Sequence, residues 1–165
     1  MAKIVVRKAK REDCDEIMRL LRELADFENI SDWIKLDAKT LEKDGFDTDH
    51  PFFHCIVAED PDNPSDLIGY ALFYIGYASW NGKRIYLEDI MVTEKYRRAG
   101  IGTMIFTKVC QEAIKLNCKA INFIVADWNP ANEFYKKFGT EDLTNKKGYH
   151  FFNLDEDKLN EIAKN

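Results

Sequence analysis

A turn with two glycines, Gly100 and Gly102, lies between a run of residues typical of a strand and a run typical of a helix. Because neither glycine carries a Cβ, the backbone can turn tightly there and approach a ligand closely. A helix that begins at this turn directs unpaired N–H groups and the positive end of its dipole into it, which favours a phosphate group. The preceding Arg97 and Arg98 would add charge-assisted hydrogen bonds to such an anion. A plain strand-to-helix turn without a ligand is the alternative at this point.

Two common phosphate-binding motifs do not match this turn. The nucleoside-triphosphate loop requires Gly-Lys-Ser or Gly-Lys-Thr, and neither follows. The dinucleotide fingerprint requires glycine or alanine three residues after Gly102, where Ile105 stands, and it normally opens a domain. A different class of anion site is therefore indicated.

Length and composition predict a single domain, residues 1–165, with an ordinary globular core. Hydrophobic residues make up 45% of the chain and charged residues 32%. No apolar run approaches the roughly 20 residues that cross a bilayer, and the first residues lack the apolar core of a secretory signal. We therefore expect a cytoplasmic protein with no membrane partner. The net charge of −5 argues against nucleic acid as the main partner and is compatible with a cationic ligand.

The cysteines and histidines show no metal-ligand spacing, so no metal site is expected. We interpret Cys14, Cys55, Cys110 and Cys118 as buried thiols in a reducing compartment. His54 and Cys55 are neighbours on a predicted strand, where their side chains face apart and cannot form a nucleophile pair. Covalent catalysis is accordingly not expected.

Hydrophobic periodicity predicts an alternation of strands and helices. Strands are predicted at 4–7, 53–59, 67–77, 83–92, 120–126 and 148–154. Helices are predicted at 13–27, 36–44, 102–116 and 132–138. The dipeptide Asn81-Gly82 indicates a hairpin, and the apolar strand 120–126 indicates a strand covered on both faces. The order predicts an α/β fold with a mixed sheet and helices packed on it.

This order, with Arg-Arg-Ala-Gly-Ile-Gly opening the central helix, resembles the GNAT acetyltransferases. Over about residues 3–154 the chain is similar to the diamine (spermidine/spermine) acetyltransferases and the thialysine acetyltransferases within that family. The segments that carry this likeness are 22–28, 44–46, 51–55, 86–89, 128–129 and 148–152. The resemblance implies the acyl-CoA N-acyltransferase fold, with a mostly antiparallel sheet and two splayed parallel strands. It also implies acetyl-CoA as co-substrate and a homodimer whose substrate sites draw on both subunits.

The sequence departs from the family pattern at two places. The polyamine enzymes usually carry an acidic residue two positions before the hairpin tryptophan, Trp80, where this chain has Ala78. The thialysine-type members also lack that acid, which favours a shorter thialysine- or lysine-like amine while leaving diamines possible. The segment from Asn129 to Tyr135 is one residue shorter than the usual spacing.

The resemblance implies that the glycine turn binds the CoA pyrophosphate and that the preceding strand binds the pantetheine arm. The residues implied in coenzyme binding are Ile90, Met91, Val92, Arg97, Arg98, Ala99, Gly100, Ile101, Gly102, Thr103, Asn129 and Asn132.

Transfer of an acetyl group to an amine requires a proton acceptor, because an amine with a pKa near 10 is only about 0.1% neutral at pH 7. Glu88 is our candidate, directly or through a water, matching the family's carboxylate on this strand; a solvated strand-edge carboxylate is the alternative. Asp89 would point to the opposite face of a regular strand, so we predict a bulge near Glu88–Ile90 that brings both to one pocket. Such a bulge would also free a backbone N–H near Met91 for the thioester oxygen.

The resemblance assigns the remaining roles. Tyr135 matches the family's tyrosine, the proton donor to a CoA thiolate whose pKa is about 8.5, and aromatic packing is its alternative. For the amine, an anionic groove is predicted, with a cation–π face from the tryptophan. The residues predicted to bind substrate are Phe27, Glu28, Trp80, Glu88 and Asp89. A solvated helix position is the alternative for Glu28.

Three functions stay open from the sequence. The leading hypothesis is a small-amine N-acetyltransferase that works by direct attack. A protein lysine or N-terminal acetyltransferase would favour a groove open at both ends, whereas residues 33–49 are placed to close one side. A non-catalytic acyl-CoA-binding protein is the third, against which the presence of both Glu88 and Tyr135 argues.

Overall fold

The computed structural model describes residues 4–164 and divides into two compact units, one up to Ile124 and one from Val125 onward. Each unit is described by itself. Because a compact unit need not fold separately, the single domain expected from chain length stays a prediction. In the described part of the chain, no helix is long and apolar enough to cross a membrane.

The first unit is built on a five-stranded mixed sheet in the order β1-β2-β3-β4-β5. The strands are β1 (Val6–Lys8), β2 (His54–Glu59), β3 (Leu67–Ala78), β4 (Gly82–Val92) and β5 (Ile121–Asn122). Neighbouring strands from β1 to β4 are antiparallel, and β5 is parallel to β4. The hairpin predicted at Asn81-Gly82 joins β3 to β4. The predicted mixed sheet flanked by helices is confirmed.

Three helices cover the two faces of this sheet: α1 (Cys14–Glu28), α2 (Ala38–Gly45) and α3 (Ile101–Lys115). The cluster between the sheet and the pair α1 and α2 contains Ile17, Leu20, Leu41, Cys55 and Val57, among others. On β2, the residues that alternate with Cys55 and Val57 point to the opposite face of the sheet, against which α3 packs. The buried side of α3 repeats every four residues, at Ile101, Ile105 and Val109.

The two parallel strands separate soon after they meet. β5 pairs with β4 only at Ile85↔Ile121 and Tyr86↔Asn122, while β4 continues to Val92. This agrees with the predicted splayed strands, and it limits the strand predicted at 120–126 to two residues. Among residues 4–164, nothing extends the ladder on this side of β4 beyond Tyr86.

The second unit contains α4 (Ala131–Lys136), α5 (Leu143–Lys147) and α6 (Glu156–Ile162). The prediction of a strand at 148–154 is wrong, because no described residue pairs with that segment. Its aromatic residues are typical of a strand, but a strand needs a neighbour, and Phe151 and Phe152 are instead 77% and 87% exposed. Aspartate caps begin the two flanking helices, since Asp142 and Asp155 accept hydrogen bonds from backbone N–H groups in their first turns.

All four cysteines are free thiols. Cys14 and Cys55 are buried, while Cys110 and Cys118 are half-buried. Burial raises the pKa of the Cys55 thiol well above its ordinary range, which makes it unreactive.

Candidate active site

A β-bulge stands at the predicted catalytic position of β4. Leu72 of β3 pairs with Asp89 and the next residue, Phe73, pairs with Leu87, so Glu88 is an extra residue without a partner. The predicted bulge is therefore confirmed. A one-residue bulge places two successive side chains on the same face of a sheet, here those of Glu88 and Asp89.

The charge of Glu88 acts on neighbours along this face. Tyr74 and Tyr86 stack across the two strands, with their ring centroids 5.1 Å apart. Burial, and after it the negative charge of Glu88, raises the pKa of each phenol. Glu88 itself is exposed, whereas Asp89 is half-buried.

A pocket of about 200 Å³ lies between the end of α1, the segment that follows it and β4. Its charged lining residues are Glu28, Lys35 and Asp89. The other residues around it are apolar: Leu21, Leu24, Ala25, Ile30, Trp33, Ile34 and Leu36. Helix α1 ends at Glu28, and the residue that caps it, Asn29, adopts a left-handed conformation with φ 57°.

The carboxyl group of Asp89 is held in an unfavourable environment for its charge. Burial, together with the negative charges of Glu88 and Glu28, raises its pKa to about 6. The phenol of Tyr70, which is fully buried, donates a hydrogen bond to Asp89 Oδ2 over 3.3 Å and partly offsets this. Among residues 4–164, no basic side chain pairs with Asp89.

The structure brings together some of the predicted substrate residues and leaves others apart. Glu28 and Asp89 line one pocket, and Glu88 shares the face of Asp89. The Phe27 ring carries the guanidinium of Arg97 at 5.0 Å from its centroid. Trp80 is 78% exposed at the hairpin, which the strand rise of about 3.3 Å per residue places roughly 20 Å from Asp89. Within one chain Trp80 does not line the pocket, and its contact with substrate stays a prediction.

The glycine turn has the conformation that an anion site requires. Gly100 adopts φ 82°, and a Cβ built on it would meet no atom within 4 Å, so open space adjoins it. Helix α3 begins at Ile101, and the first N–H with an intrahelical acceptor is that of Met104, which bonds to the Gly100 carbonyl over 3.0 Å. The N–H groups of Ile101, Gly102 and Thr103 belong to the first turn, where α-helices leave donors unpaired. These donors fit a pyrophosphate.

Side-chain bonds fasten the segment before this turn. Arg97 Nε donates to the Val92 carbonyl over 2.9 Å, which leaves its terminal nitrogens for an anion. The Glu23 carboxylate of α1 accepts from Thr93 Oγ1 at 2.8 Å and from the Glu94 N–H at 3.2 Å. Arg98 holds φ 65°, a conformation uncommon for a residue with a side chain. Helix α1 therefore supports both the pocket and the turn.

The remaining predicted residues belong to the second unit. The Asn132 side-chain amide donates to the carbonyls of Ala126 and Asn129, each over 2.9 Å, and Asn129 Oδ1 accepts from the Ala131 N–H over 2.9 Å. These bonds fix the loop that begins α4. Tyr135 is buried on α4, with its ring centroid 5.1 Å from that of Phe134. Contacts of the two asparagines with coenzyme and the proton transfer by Tyr135 stay predictions.

Sequence reasoning missed three residues of the site. Tyr70 gave a signal, since a tyrosine in an apolar strand needs a polar partner when buried. Trp33 and Lys35 fell in a segment that was expected only to close one side of the groove. In the described part of the chain, no three histidine, cysteine or acidic side chains are grouped so that they could hold a metal ion.

Solved structures with the same fold include an integron cassette protein from V. cholerae, with a TM-score of 0.77 over 100% of this chain and 99% of that one at 20% identity. An aminoglycoside acetyltransferase from an uncultured soil metagenomic sample has a TM-score of 0.74 over 93% and 97% of the two chains at 16% identity. The fold is thus one shared with acetyl-transferring enzymes.

The chain belongs to the Acetyltransferase (GNAT) family, whose profile matches residues 5–140. The thialysine N-epsilon-acetyltransferase of Bos taurus is 42% identical over 170 residues, which cover 99% of each protein. The spermidine/spermine N(1)-acetyltransferase-like protein 1 of Homo sapiens is 40% identical over 96% of this chain and 23% of its own length. The predicted family is confirmed, and the protein is an acetyltransferase.

Proposed function

We propose that this enzyme moves the acetyl group of acetyl-CoA to a primary amine of a small acceptor, a di- or polyamine or a thialysine- or lysine-like molecule. The pocket that contains the Glu28 and Asp89 carboxylates beside the β4 bulge carries this proposal. Its volume of about 200 Å³ suits a small molecule, since sites for larger ligands occupy about 300–1,000 Å³.

The electrostatics of Asp89 support a cationic acceptor. Burial and the neighbouring carboxylates disfavour its anionic form, which is why its pKa is raised to about 6. An ammonium group bound beside it would offset both effects. The apolar walls of the pocket would then contact the methylene chain that separates the amines.

The turn before α3 supports acetyl-CoA as the acetyl donor. First-turn N–H groups and the positive φ of Gly100 suit the pyrophosphate, with Arg97 and Arg98 beside it. The edge of β4 that continues past the last pair with β5 offers backbone groups of Ile90, Met91 and Val92 for the pantetheine arm. The coenzyme supplies an activated thioester, and the Met91 N–H is proposed to bind its oxygen.

We assign the two proton transfers to Glu88 and Tyr135. Glu88 accepts the proton that the ammonium loses, directly or through a water, so that the nitrogen lone pair can attack the carbonyl carbon. The new C–N bond forms as the C–S bond breaks. Tyr135 donates its phenolic proton to the departing sulfur, so that CoA leaves as a neutral thiol. The attacking nitrogen loses its second proton to solvent as the amide forms, and solvent returns a proton to the Tyr135 phenolate. The resemblance to the family carries the Tyr135 assignment.

The sequence relationship also underlies an expectation about the assembly. We expect a homodimer, as the resemblance implies, while the cytoplasmic location expected from composition stays a separate prediction. Tyr77 and Trp80 on the β3–β4 hairpin are 75% and 78% exposed, which leaves them accessible to a second subunit. Light scattering after size exclusion measures the assembly; a monomer at all concentrations would contradict the expectation.

An acceptor screen tests the proposed function. Purified enzyme with acetyl-CoA is offered thialysine, lysine, spermidine, putrescine and a peptide with an internal lysine, and products are identified by mass. We expect turnover of at least one small amine and little turnover of the peptide. If the enzyme binds acetyl-CoA yet acetylates no amine, the proposal is overturned; preference for the peptide would instead support a protein acetyltransferase.

A further inference from the structure

Lys35 is the one positive charge among the lining residues of the amine pocket. Its side chain is exposed, and within residues 4–164 it forms no ion pair. The same pocket contains the carboxylates of Glu28 and Asp89, and Lys35 forms no salt bridge with Asp89 in the described chain. The pocket therefore has separate negative and positive poles.

The backbone on both sides of Lys35 is anchored, so the positive pole has a defined place. The Trp33 N–H donates to the Ile30 carbonyl over 2.8 Å, and the Ile34 side chain packs against the buried cluster beneath α1. Two residues beyond Lys35, the Asp37 side chain accepts from the Thr40 N–H over 2.8 Å and begins α2. A lysine in this short connection is held near the pocket by its neighbours.

This charge pattern is not what a polyamine requires. A linear diamine or polyamine carries only ammonium groups, which suit Glu28 and Asp89 but repel Lys35. An amino acid with a second amine carries two ammonium groups and one carboxylate. Such a molecule would match all three charges.

We propose that Lys35 binds the carboxylate of the acceptor and thereby selects diamino acids over diamines of the same length. The inference rests on the proposed function, and it deepens it by assigning a specificity-determining residue to the acceptor site. Because Lys35 is exposed, solvent screens its charge, and the expected selectivity is modest, about fivefold.

Two matched acceptors isolate the carboxylate: lysine and 1,5-diaminopentane, which is lysine without that group. Values of kcat/KM are measured for both with wild type, Lys35→Gln, Lys35→Glu and the control Lys39→Gln. Lys39 is an exposed lysine of α2 that does not line the pocket. Dissociation constants of both acceptors with CoA-bound enzyme are measured by calorimetry, which does not depend on turnover.

Lys35→Gln is expected to lower kcat/KM and affinity for lysine about fivefold and to leave those for 1,5-diaminopentane unchanged or raised. Lys35→Glu should lower kcat/KM for lysine, relative to that for 1,5-diaminopentane, further than Lys35→Gln does. Lys39→Gln should leave both values unchanged. Equal changes for both acceptors, or the same selectivity loss in Lys39→Gln, would overturn the role of Lys35. If no amine of the acceptor screen is acetylated but lysine binds with this dependence on Lys35, the proposed function fails while the inference stands. If neither acceptor binds, the inference fails.

Discussion

The proposed amine pocket and the glycine turn are suited to recognise charge by different means. The turn offers backbone N–H groups whose direction follows from the φ angle of Gly100 and the start of α3. The pocket offers titratable side chains, one of which, Asp89, has a raised pKa because burial disfavours its charge. A site made from backbone is therefore insensitive to pH and depends on conformation alone, whereas a site made from carboxylates depends on pH as well.

Replacement of Tyr135 by phenylalanine should have the largest effect while altering neither region. Loss of a general acid typically lowers rates by about 10²–10⁴-fold, so kcat should fall at least 100-fold. Affinities for acetyl-CoA and for the amine should persist, as measured by calorimetry. Unchanged turnover in Tyr135→Phe would assign this tyrosine to packing instead.

Replacement of Gly100 by alanine tests the dependence of the turn on conformation. The added Cβ meets no atom, but φ 82° costs a residue with a side chain about 1–2 kcal/mol. The KM for acetyl-CoA should rise about tenfold, with the KM for the amine unchanged. Gly82→Ala is the matched control, because Gly82 has φ 89° and open space at the hairpin. If both variants change the KM for acetyl-CoA equally, the turn has no special role.

The pH dependence of Asp89 tests the sensitivity of the pocket. Its carboxyl should be anionic to bind the ammonium, so kcat/KM for the amine should fall below about pH 6, approaching tenfold per pH unit. Asp89→Asn should lower kcat/KM at neutral pH and remove this dependence. A wild-type profile that is flat from pH 5 to 8 would contradict the role assigned to Asp89.

The same group makes a prediction for stability, with a definite sign. A raised pKa in the folded state means that the native protein binds the proton more tightly than the unfolded chain does. The stabilisation from this proton is present below about pH 4 and is lost as pH rises through about 6. At pH 7 the free energy of unfolding of Asp89→Asn, measured by denaturant titration, should therefore exceed that of wild type by up to about 3 kcal/mol. Equal stabilities at pH 7 would show that burial does not penalise the charge.

Replacement of Tyr70 by phenylalanine should have the smallest effect. It removes one hydrogen bond to the Asp89 carboxylate, and that bond lowers the pKa of Asp89. The acidic limb of the kcat/KM profile should move to higher pH by less than one pH unit, with kcat at high pH little changed. A shift in the opposite direction would mean that the phenol does not stabilise the anion.

Sequence patterns predicted the parts of this fold that depend on local chemistry. The helix around Ile17 followed from apolar residues at three- and four-residue steps, and the hairpin followed from Asn81-Gly82. The bulge was predicted from a chemical need, that Glu88 and Asp89 share a face. The strand at 148–154 was wrong because its pattern describes a segment and not a neighbour to pair with.

Contacts that depend on strand register could not be predicted from the sequence. The hydrogen bond from Tyr70 to Asp89 joins residues 19 positions apart and exists only because the bulge sets which side chains of β3 and β4 share a face. The position of Lys35 in the same pocket as two carboxylates likewise depends on how the chain returns after the α1 C-cap, Asn29.

The extra residue in β4 also reverses the parity of that strand. Before it, Leu87 pairs with Phe73; after it, Asp89 pairs with Leu72, so odd-numbered residues change from one side of the sheet to the other. Deletion of Glu88 would restore a regular ladder, with Leu87 still opposite Phe73 and Asp89 still opposite Leu72. Asp89 would then keep its face but lose the second carboxylate beside it, so the bulge is the feature that gives this face two adjacent acids.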